Sequence, residues 1–286
     1  GSVLLGGREI VTLPPEELRG VWGRQVGMVF QEPEQALNPS LTVKVQIEEH
    51  LRRHFRLQAP ELRNRSIRLL KDVELPEPER LLGRYPHELS GGMQQRLGIA
   101  IATACNPDLL VADEPTSSLD VIIQDQILAL LLRIREERGL SVLFVTHDLG
   151  VVRRIADRVS ILYAGRIVET APKERLMSAP LHPYTVLLLS AVPRPHHRYH
   201  RLITIPGTPP LPEEIPGGCP FHPRCPVAQE ICRRETPPLE EKAPTVGGTP
   251  GHRVACHFPG SLETGSLEDR WPAAGDSRGR NIGGAL

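Results

Sequence analysis

The chain has 286 residues, enough for one large domain or for a domain with an appendage. Its 34 basic and 34 acidic side chains give a formal net charge of zero, so bulk electrostatics provide no sign of a nucleic-acid-binding protein. No apolar run approaches the ~18 residues that cross a bilayer, and the N-terminus lacks the basic and apolar regions of a signal peptide. We therefore expect a soluble, cytoplasmic protein.

The first third of the chain is predicted to contain two strands and a series of helices. Strands are indicated at 3–5 and 26–30, with a short helix at 14–19 between them. A mostly helical stretch follows from 42 to 85, broken at Pro76 and Pro78, and another helix begins at Ser90.

The middle of the chain alternates strands with helices. A strand at 109–112 precedes a helix at 121–137, and the β-branched run 141–146 predicts a buried parallel strand. A helix from Leu149 and a hairpin of strands 159–163 and 166–169 complete the pattern. This alternation predicts an α/β fold built on a parallel sheet.

Two segments carry residues suited to phosphate chemistry. Ser90 is a good helix N-cap, and Gly91 and Gly92 allow a ligand to approach backbone amides at the positive end of the helix dipole. The strand at 109–112 ends in Asp113 and Glu114. In an extended chain these two carboxylates point to opposite sides, so we expect Asp113 to face a metal and Glu114 to face a water.

Together, at this spacing, the two segments resemble the signature motif and the Walker B strand of ABC-family ATPases. Three further positions match the same family in order, and each of them alone would have an ordinary structural explanation. Gln31 resembles the Q-loop glutamine, Ser117–Asp120 resembles the D-loop with Ser118 and Asp120, and His147 resembles the switch histidine. The resemblance implies an ABC nucleotide-binding domain, which has a P-loop NTPase fold built on a parallel sheet and carries a helical signature subdomain.

The resemblance also implies roles in ATP hydrolysis, a reaction that needs positioning and charge neutralisation. Asp113 would hold Mg²⁺ through water, Glu114 would polarise the attacking water, and His147 and Gln31 would assist. In this family two ATPase protomers sandwich each ATP. The signature residues would therefore bind the partner's nucleotide; they are Ser90, Gly91, Gly92 and Gln94.

One family motif does not occur in the sequence, namely the Walker A loop G-x-x-x-x-G-K-[ST]. It would precede residue 1. We expect negligible ATPase activity from the chain by itself, and a pseudo-subunit that binds partners without hydrolysing ATP is the alternative interpretation. We also expect the Walker B strand at 109–112 to lie beside an unpaired edge, and the chain to aggregate for that reason.

Later stretches are similar to the ATPase subunits of oligopeptide, dipeptide and nickel importers. They are Met28–Pro33 with Leu37–Pro39, His182–Thr185, Ile205–Gly207, Gly218–Pro226 and Gly251–Cys256. The implied partners are two transmembrane permeases, a second ATPase protomer and, indirectly, an external solute-binding protein, with no nucleic acid. The implied location is the cytoplasmic face of the membrane, where segment 31–39 would meet a permease helix. The cargo would be a peptide, with nickel or another small solute as the alternative. Besides the pseudo-subunit, a second alternative function is that of an ABC ATPase that takes no part in transport.

Four late cysteines suggest a metal site in a segment rich in Pro and Gly. Cys219, Cys225, Cys232 and Cys256 have irregular spacing, and Pro follows the first two. Disulfides are disfavoured in a reducing cytosol, and zinc usually takes closely paired cysteines. We expect a structural [4Fe–4S] cluster, with zinc or no metal as alternatives. His222 and His257 are adjacent in sequence and could substitute as ligands, but we expect them to lie outside the ligand set or in solvent.

The sequence thus divides into five predicted segments. They are 1–31, a partial RecA-like core; 32–97, the helical signature subdomain; 98–171, the core with Walker B, D-loop and switch histidine; 172–259, an irregular Cys-rich C-terminal extension; and 260–286, a disordered tail.

Overall fold

The computed structural model describes residues 1–191, 205–241 and 251–262, and the chain divides into two compact units, 1–147 and 148–286. The helices of the first unit are α1 (Pro15–Val21), α2 (Pro33–Ala36), α3 (Val43–His54), α4 (Ala59–Asp72), α5 (Pro78–Leu81), α6 (Gly91–Ala102) and α7 (Val121–Arg138). Its strands are β1 (Leu4–Leu5), β2 (Arg8–Glu9), β3 (Val26–Val29), β4 (Leu109–Asp113) and β5 (Ser141–Val145). The hairpin predicted in segment 98–171 belongs to the second unit.

The first unit is organised on a parallel sheet with the strand order β3-β4-β5. The expectation that the Walker B strand borders an unpaired edge is wrong, because β4 pairs with β3 on one side and with β5 on the other. Strand β5 was expected to be buried, yet Leu143 is 54% exposed and Val145 is 45% exposed. Within the described residues β5 is an outer strand of the sheet, and its exposed side chains alternate along it, so one of its faces is left uncovered.

Residues of helices α3 to α7 and of the sheet share one hydrophobic core. Gly27 allows β3 and the end of α6 to pack with their backbones in contact, because a Cβ at this position would lie 2.2 Å from the carbonyl oxygen of Ala102. The helical stretch predicted from 42 to 85 has one more break than expected, at residues 55–58. There Gln58 begins α4 with a capping box, its amide donating to the Glu61 carboxylate at 2.9 Å.

The second unit combines a small antiparallel sheet with short helices. Its helices are α8 (Leu149–Ile155), α9 (Lys173–Ser178), α10 (Pro183–Ser190) and α11 (Glu230–Arg234), and its strands are β6 (Arg158–Tyr163), β7 (Arg166–Pro172), β8 (Glu240–Glu241) and β9 (Arg253–Val254). The strand order is β6-β7-β9-β8, and β6 and β7 form the predicted hairpin.

The late segment, although rich in Pro and Gly, contributes to a core of its own unit. Phe221 is completely buried, and Cys219 and Cys232 are each 8% exposed in the same cluster as residues of β6 and β7. Leu262 is also buried there, whereas Gly260 and Ser261 are exposed. The remainder of the predicted disordered tail, 263–286, lies outside the described residues.

Among the helices that the structure describes, none has the length and apolar character needed to cross a membrane.

Candidate functional site

Three of the predicted catalytic side chains meet around one carboxylate. The Glu114 Oε1 atom lies 2.9 Å from Nδ1 of His147, and its Oε2 atom accepts a hydrogen bond from Nε2 of Gln31 at 3.4 Å. These residues are separated by 83 and 33 positions in the chain, so only the fold brings them together. The His147 side chain is 76% exposed and that of Glu114 is 23% exposed, so the carboxylate is accessible to a ligand from the histidine side.

The parallel sheet explains how these side chains converge. Gln31 follows β3, Glu114 follows β4 and His147 follows β5, so all three lie beyond the carboxyl ends of neighbouring parallel strands. Ligands of open α/β sheets bind at this end.

The backbone at the two adjacent carboxylates is not extended, as the sequence argument assumed. Asp113 is the last residue of β4, and Glu114 has a φ of 42°, in the left-handed region that is strained for a residue with a side chain. The Glu114 amide nevertheless donates to the Val145 carbonyl at 2.9 Å, which anchors the turn to the sheet. The strand therefore stops between the two residues, and the alternation of side chains in an extended strand does not apply to this pair.

The signature segment forms the predicted helix start. Ser90 is the N-cap of α6, and its Oγ accepts from the Met93 amide at 3.4 Å. The first amides of a helix have no intrahelical acceptor, so the amides of Gly91 and Gly92 are available at this end. Gln94 was predicted to bind nucleotide, but it is buried and its Nε2 donates to the carbonyls of Pro86 and Leu89. Through these contacts Gln94 holds the loop that precedes the motif.

The D-loop residues lie at the start of the helix that packs on the signature segment. Asp120 caps α7 by accepting from the amides of Ile122 and Ile123 at 3.0 and 2.9 Å. A Cβ at Gly92 would lie 2.9 Å from the Ile123 side chain, so a glycine is needed for this packing. Ser118 is exposed just before the cap. The structure thus couples the position of the signature segment to that of the D-loop.

The four late cysteines lie together in the second unit and line a single cavity with Phe221 and Phe258. Gly218 is essential to the arrangement, since it has a φ of 71° and a Cβ there would lie 2.4 Å from the Cys232 carbonyl oxygen. The next residue, Cys219, donates its amide to that same carbonyl at 2.8 Å. This contact joins the first cysteine of the set to the third.

Burial dominates the electrostatics of the cysteine cavity. It raises the pKa of Cys225 to about 11 and that of Cys256 to about 12, and neighbouring thiols add to both shifts. Burial likewise raises the pKa of Cys219. His222 and His257 lie beside the cavity, but Nδ1 of the first is 3.0 Å from the Cys219 carbonyl and Nε2 of the second is 3.0 Å from the Glu235 carbonyl.

A buried carboxylate that the sequence argument missed organises the His182–Thr185 motif. Glu169 on β7 is completely buried and accepts from the amides of Leu181 and His182 at 2.7 and 2.9 Å. Its Oε1 also lies 2.7 Å from Nε2 of the buried His252. Burial acts to raise the pKa of Glu169, but the hydrogen bonds from His252 and the two amides oppose it, and the pKa is lowered overall.

Strict alternation along β7 does not account for the burial of Glu169. The register between β6 and β7 shifts near Ile161, so that Ile161 pairs with Glu169 and Leu162 pairs with Ile167. Val168 is the extra residue of this bulge, and Val168 and Glu169 are both buried. An acidic residue within a strand pattern was the available signal, but its partners follow far later in the chain.

The buried His182 predicts an acid-sensitive second unit. Burial lowers the pKa of His182 to about 4, although the nearby Glu169 carboxylate opposes the shift. Below about 6.5 the unfolded chain binds a proton that the folded chain does not, so the free energy of unfolding should fall by about 1.4 kcal/mol per pH unit between about 6.5 and 4. The lowered pKa of Glu169 extends this loss below its ordinary value of 4.5.

Denaturant unfolding as a function of pH, compared with His182→Asn, measures this contribution. Asparagine keeps a short N-cap acceptor and does not titrate, so its slope between pH 6.5 and 4 should be shallower by about 1.4 kcal/mol per unit. Other histidines contribute equally to both proteins. Equal slopes would assign the acid sensitivity to groups other than His182.

Two protein families match different parts of the sequence. The ABC transporter family matches residues 1–117, and the C-terminal region of the oligopeptide/dipeptide transporter family matches residues 168–232. The oligopeptide transport ATP-binding proteins OppD of Salmonella typhimurium and Escherichia coli are each 44% identical over 259 residues, which are 91% of this chain and 75% of theirs.

Solved structures resemble the chain over 60% of its length. The ATP-binding cassette MJ0796, in a dimer bound to ADP and Pi, has a TM-score of 0.54 with 34% identity and is covered over 73% of its chain. CbiO1 of Clostridium perfringens, part of the transporter complex cbiONQ, has a TM-score of 0.53 with 26% identity and is covered over 66%.

Proposed function

Because the chain belongs to the ABC transporter ATP-binding proteins of the oligopeptide/dipeptide type, an ATPase family, we propose that it powers the import of oligopeptides or dipeptides. The observation that carries the proposal is the contact of Glu114 with both His147 and Gln31 at the end of the parallel sheet. The late segments with their cysteine cavity support the peptide-transporter type. Nickel or another small solute is the alternative cargo.

Glu114 is the residue that orients the attacking water in this proposal. His147 lies on one oxygen of its carboxylate and Gln31 on the other, so both constrain the direction of the free lone pairs. Asp113 supplies hard oxygen atoms of the kind that Mg²⁺ prefers, and it is adjacent in the chain. When bound, Mg²⁺ neutralises charge on the β- and γ-phosphates of ATP.

The signature segment acts on a second protomer's nucleotide in the same proposal. Ser90, Gly91 and Gly92 present amides at a helix N-terminus, where the dipole favours a phosphate. Ser118 and Asp120 precede α7, which packs on Gly92, and would lie near the dimer interface. The dimeric state of the similar cassette MJ0796 supports this arrangement.

The other proposed partners are two transmembrane permeases, which this chain would contact at the cytoplasmic face of the membrane. An external solute-binding protein would be an indirect partner. Segment 31–39 is the proposed permease contact. Its helix α2 is anchored by buried Pro33 and Leu37, while Glu34 and Gln35 are exposed. The segment begins with Gln31, so a permease that moves it would act directly on the Glu114 environment.

Uptake of a labelled peptide by vesicles containing the permeases, the second ATPase and this chain tests the function. We expect uptake that requires ATP on the side of the membrane where this chain lies. Uptake should stop when the Glu114→Gln variant is used in place of the wild-type chain. Uptake that continues at the same rate with that variant would favour a pseudo-subunit that binds partners without hydrolysing ATP. Transport of Ni²⁺ and not of peptides would select the alternative cargo.

We further propose that the four cysteines hold a structural [4Fe–4S] cluster. Zn–S bonds of about 2.3 Å place tetrahedral sulfurs about 3.8 Å apart. Within the described part of the chain, no three of these sulfurs lie within 4.8 Å of one another. A multi-iron cluster is larger than a single ion and holds its thiolates farther apart. It would supply the cross-link that a segment rich in Pro and Gly needs, and no step of transport requires its electrons.

Metal and sulfide analysis of anaerobically purified protein tests the cluster. We expect brown protein with equal amounts of iron and acid-labile sulfide, both lost in Cys225→Ser and in Cys256→Ser but retained in Cys105→Ser. Colourless protein with one zinc per chain would assign the cavity to zinc, and metal-free folded protein would leave the thiols without a metal role.

A further inference from the structure

A second cluster of metal-ligating side chains belongs to the first unit, whereas the four cysteines belong to the second. His50 and His54 are one turn apart on α3, and Cys105 follows α6. One ligand atom from each of the three residues lies within 4.8 Å of the other two. The imidazole centroids are 5.3 Å apart.

The two imidazoles carry polar atoms that are buried without a protein partner. Nε2 of His50 and Nε2 of His54 are both inaccessible to solvent and make no hydrogen bond with the described residues. An unsatisfied buried polar atom costs about 1–3 kcal/mol. Two such atoms side by side, with a buried thiol in reach, indicate a missing ligand.

Glycine at position 23 leaves room for the two rings. Gly23 has a φ of 80°, and a Cβ there would lie 2.7 Å from Cε1 of His50 and 2.8 Å from Nε2 of His54. The backbone therefore lies directly against the imidazoles, and no side chain can fill the space beside them.

We propose that His50, His54 and Cys105 bind one Zn²⁺ ion. Two imidazole nitrogens and one thiolate are ligands that Zn²⁺ prefers, and histidines at i and i+4 present their rings on one helix face. Tetrahedral Zn²⁺ with these bond lengths needs ligand atoms about 3.3–3.7 Å apart, which small side-chain rotations achieve from the present spacing. The fourth position is left for water.

Binding exchanges the S–H bond of Cys105 for an S–Zn bond and releases one proton to solvent. The thiolate is required, because Arg24 and Arg53 lie near the imidazoles and disfavour an uncompensated dication. The ion would join α3 to the end of α6, the helix whose N-terminus carries the signature segment. The role of the ion is thus to hold the C-terminal end of α6 in place.

Competition of the full chain with a chromophoric zinc chelator tests the proposal, using His54→Gln, Cys105→Ser and the exposed His87→Ala as matched variants. Since the four-cysteine cavity is itself a proposed metal site, the variants are compared with the wild type at equal iron content. We expect His54→Gln and Cys105→Ser to bind one zinc fewer per chain, or to bind it at least about 100-fold more weakly, and His87→Ala to match the wild type.

Cobalt provides a readout that loss of structure does not imitate. At equal iron content, the wild type loaded with Co²⁺ should show more thiolate-to-metal charge-transfer absorption than Cys105→Ser, while this variant keeps the circular dichroism of the wild type. Equal zinc content and affinity in the wild type and both ligand variants would overturn the proposal. Uptake of Cu(I) without Zn²⁺ would overturn the choice of metal.

Discussion

Glu114→Gln should lower the rate of ATP hydrolysis by the assembled transporter by about 10²–10⁴-fold while leaving ATP binding intact, a loss typical of removing a general base. The amide has the size of the carboxylate and can still contact Gln31 and His147, but it cannot attract the proton of the attacking water. Steady-state phosphate release and equilibrium nucleotide binding, measured on the same complex, separate the two effects.

Glu136→Gln is the matched control for this substitution. Glu136 is an exposed glutamate on α7, and its replacement should leave hydrolysis unchanged. If both variants hydrolyse ATP at the rate of the wild type, Glu114 does not orient the water. If Glu114→Gln also abolishes ATP binding, the carboxylate has a structural role in the site.

His252→Ala should destabilise the second unit by about 2–5 kcal/mol, the range expected when one partner of a buried charged contact is removed. Glu169 has no exposed surface, so its carboxylate would lose the donor at 2.7 Å with no access to water. Hydrogen exchange at the amides of Leu181 and His182, which donate to the same carboxylate, should accelerate accordingly.

The exposed His87→Ala provides the comparison for His252→Ala and should change the free energy of unfolding by no more than about 0.5 kcal/mol. In His252→Ala, protection of the amides in β4 should be retained, because that strand belongs to the first unit. Unchanged exchange at Leu181 and His182 would mean that the hydrogen bond between Glu169 and His252 contributes nothing to stability.

Local features of the sequence predicted the elements that carry the chemistry. Ser90 before two glycines and the apolar run before Asp113 each favour a local backbone conformation, and the start of the helix and the end of the strand agree closely with the prediction. The lateral order of the strands could not be obtained in this way. Alternation of strands and helices constrains which segments are strands, but it does not specify which strand pairs with which. An unpaired edge was therefore expected beside β4, which is the middle strand of the described sheet.

By itself, the sequence determined the parallel α/β class, the family and the ordered residues Gln31, Asp113, Glu114 and His147, because these depend on residue type and spacing along the chain. Only the tertiary structure decided that Glu114 contacts both Gln31 and His147 and that Glu169 is held by His252. It also decided that His50, His54 and Cys105 meet. Each of these contacts joins segments that are distant in the sequence and meet only through tertiary packing. The free energy that favours one contact between distant segments over another depends on the whole fold, so a local sequence pattern does not predict it.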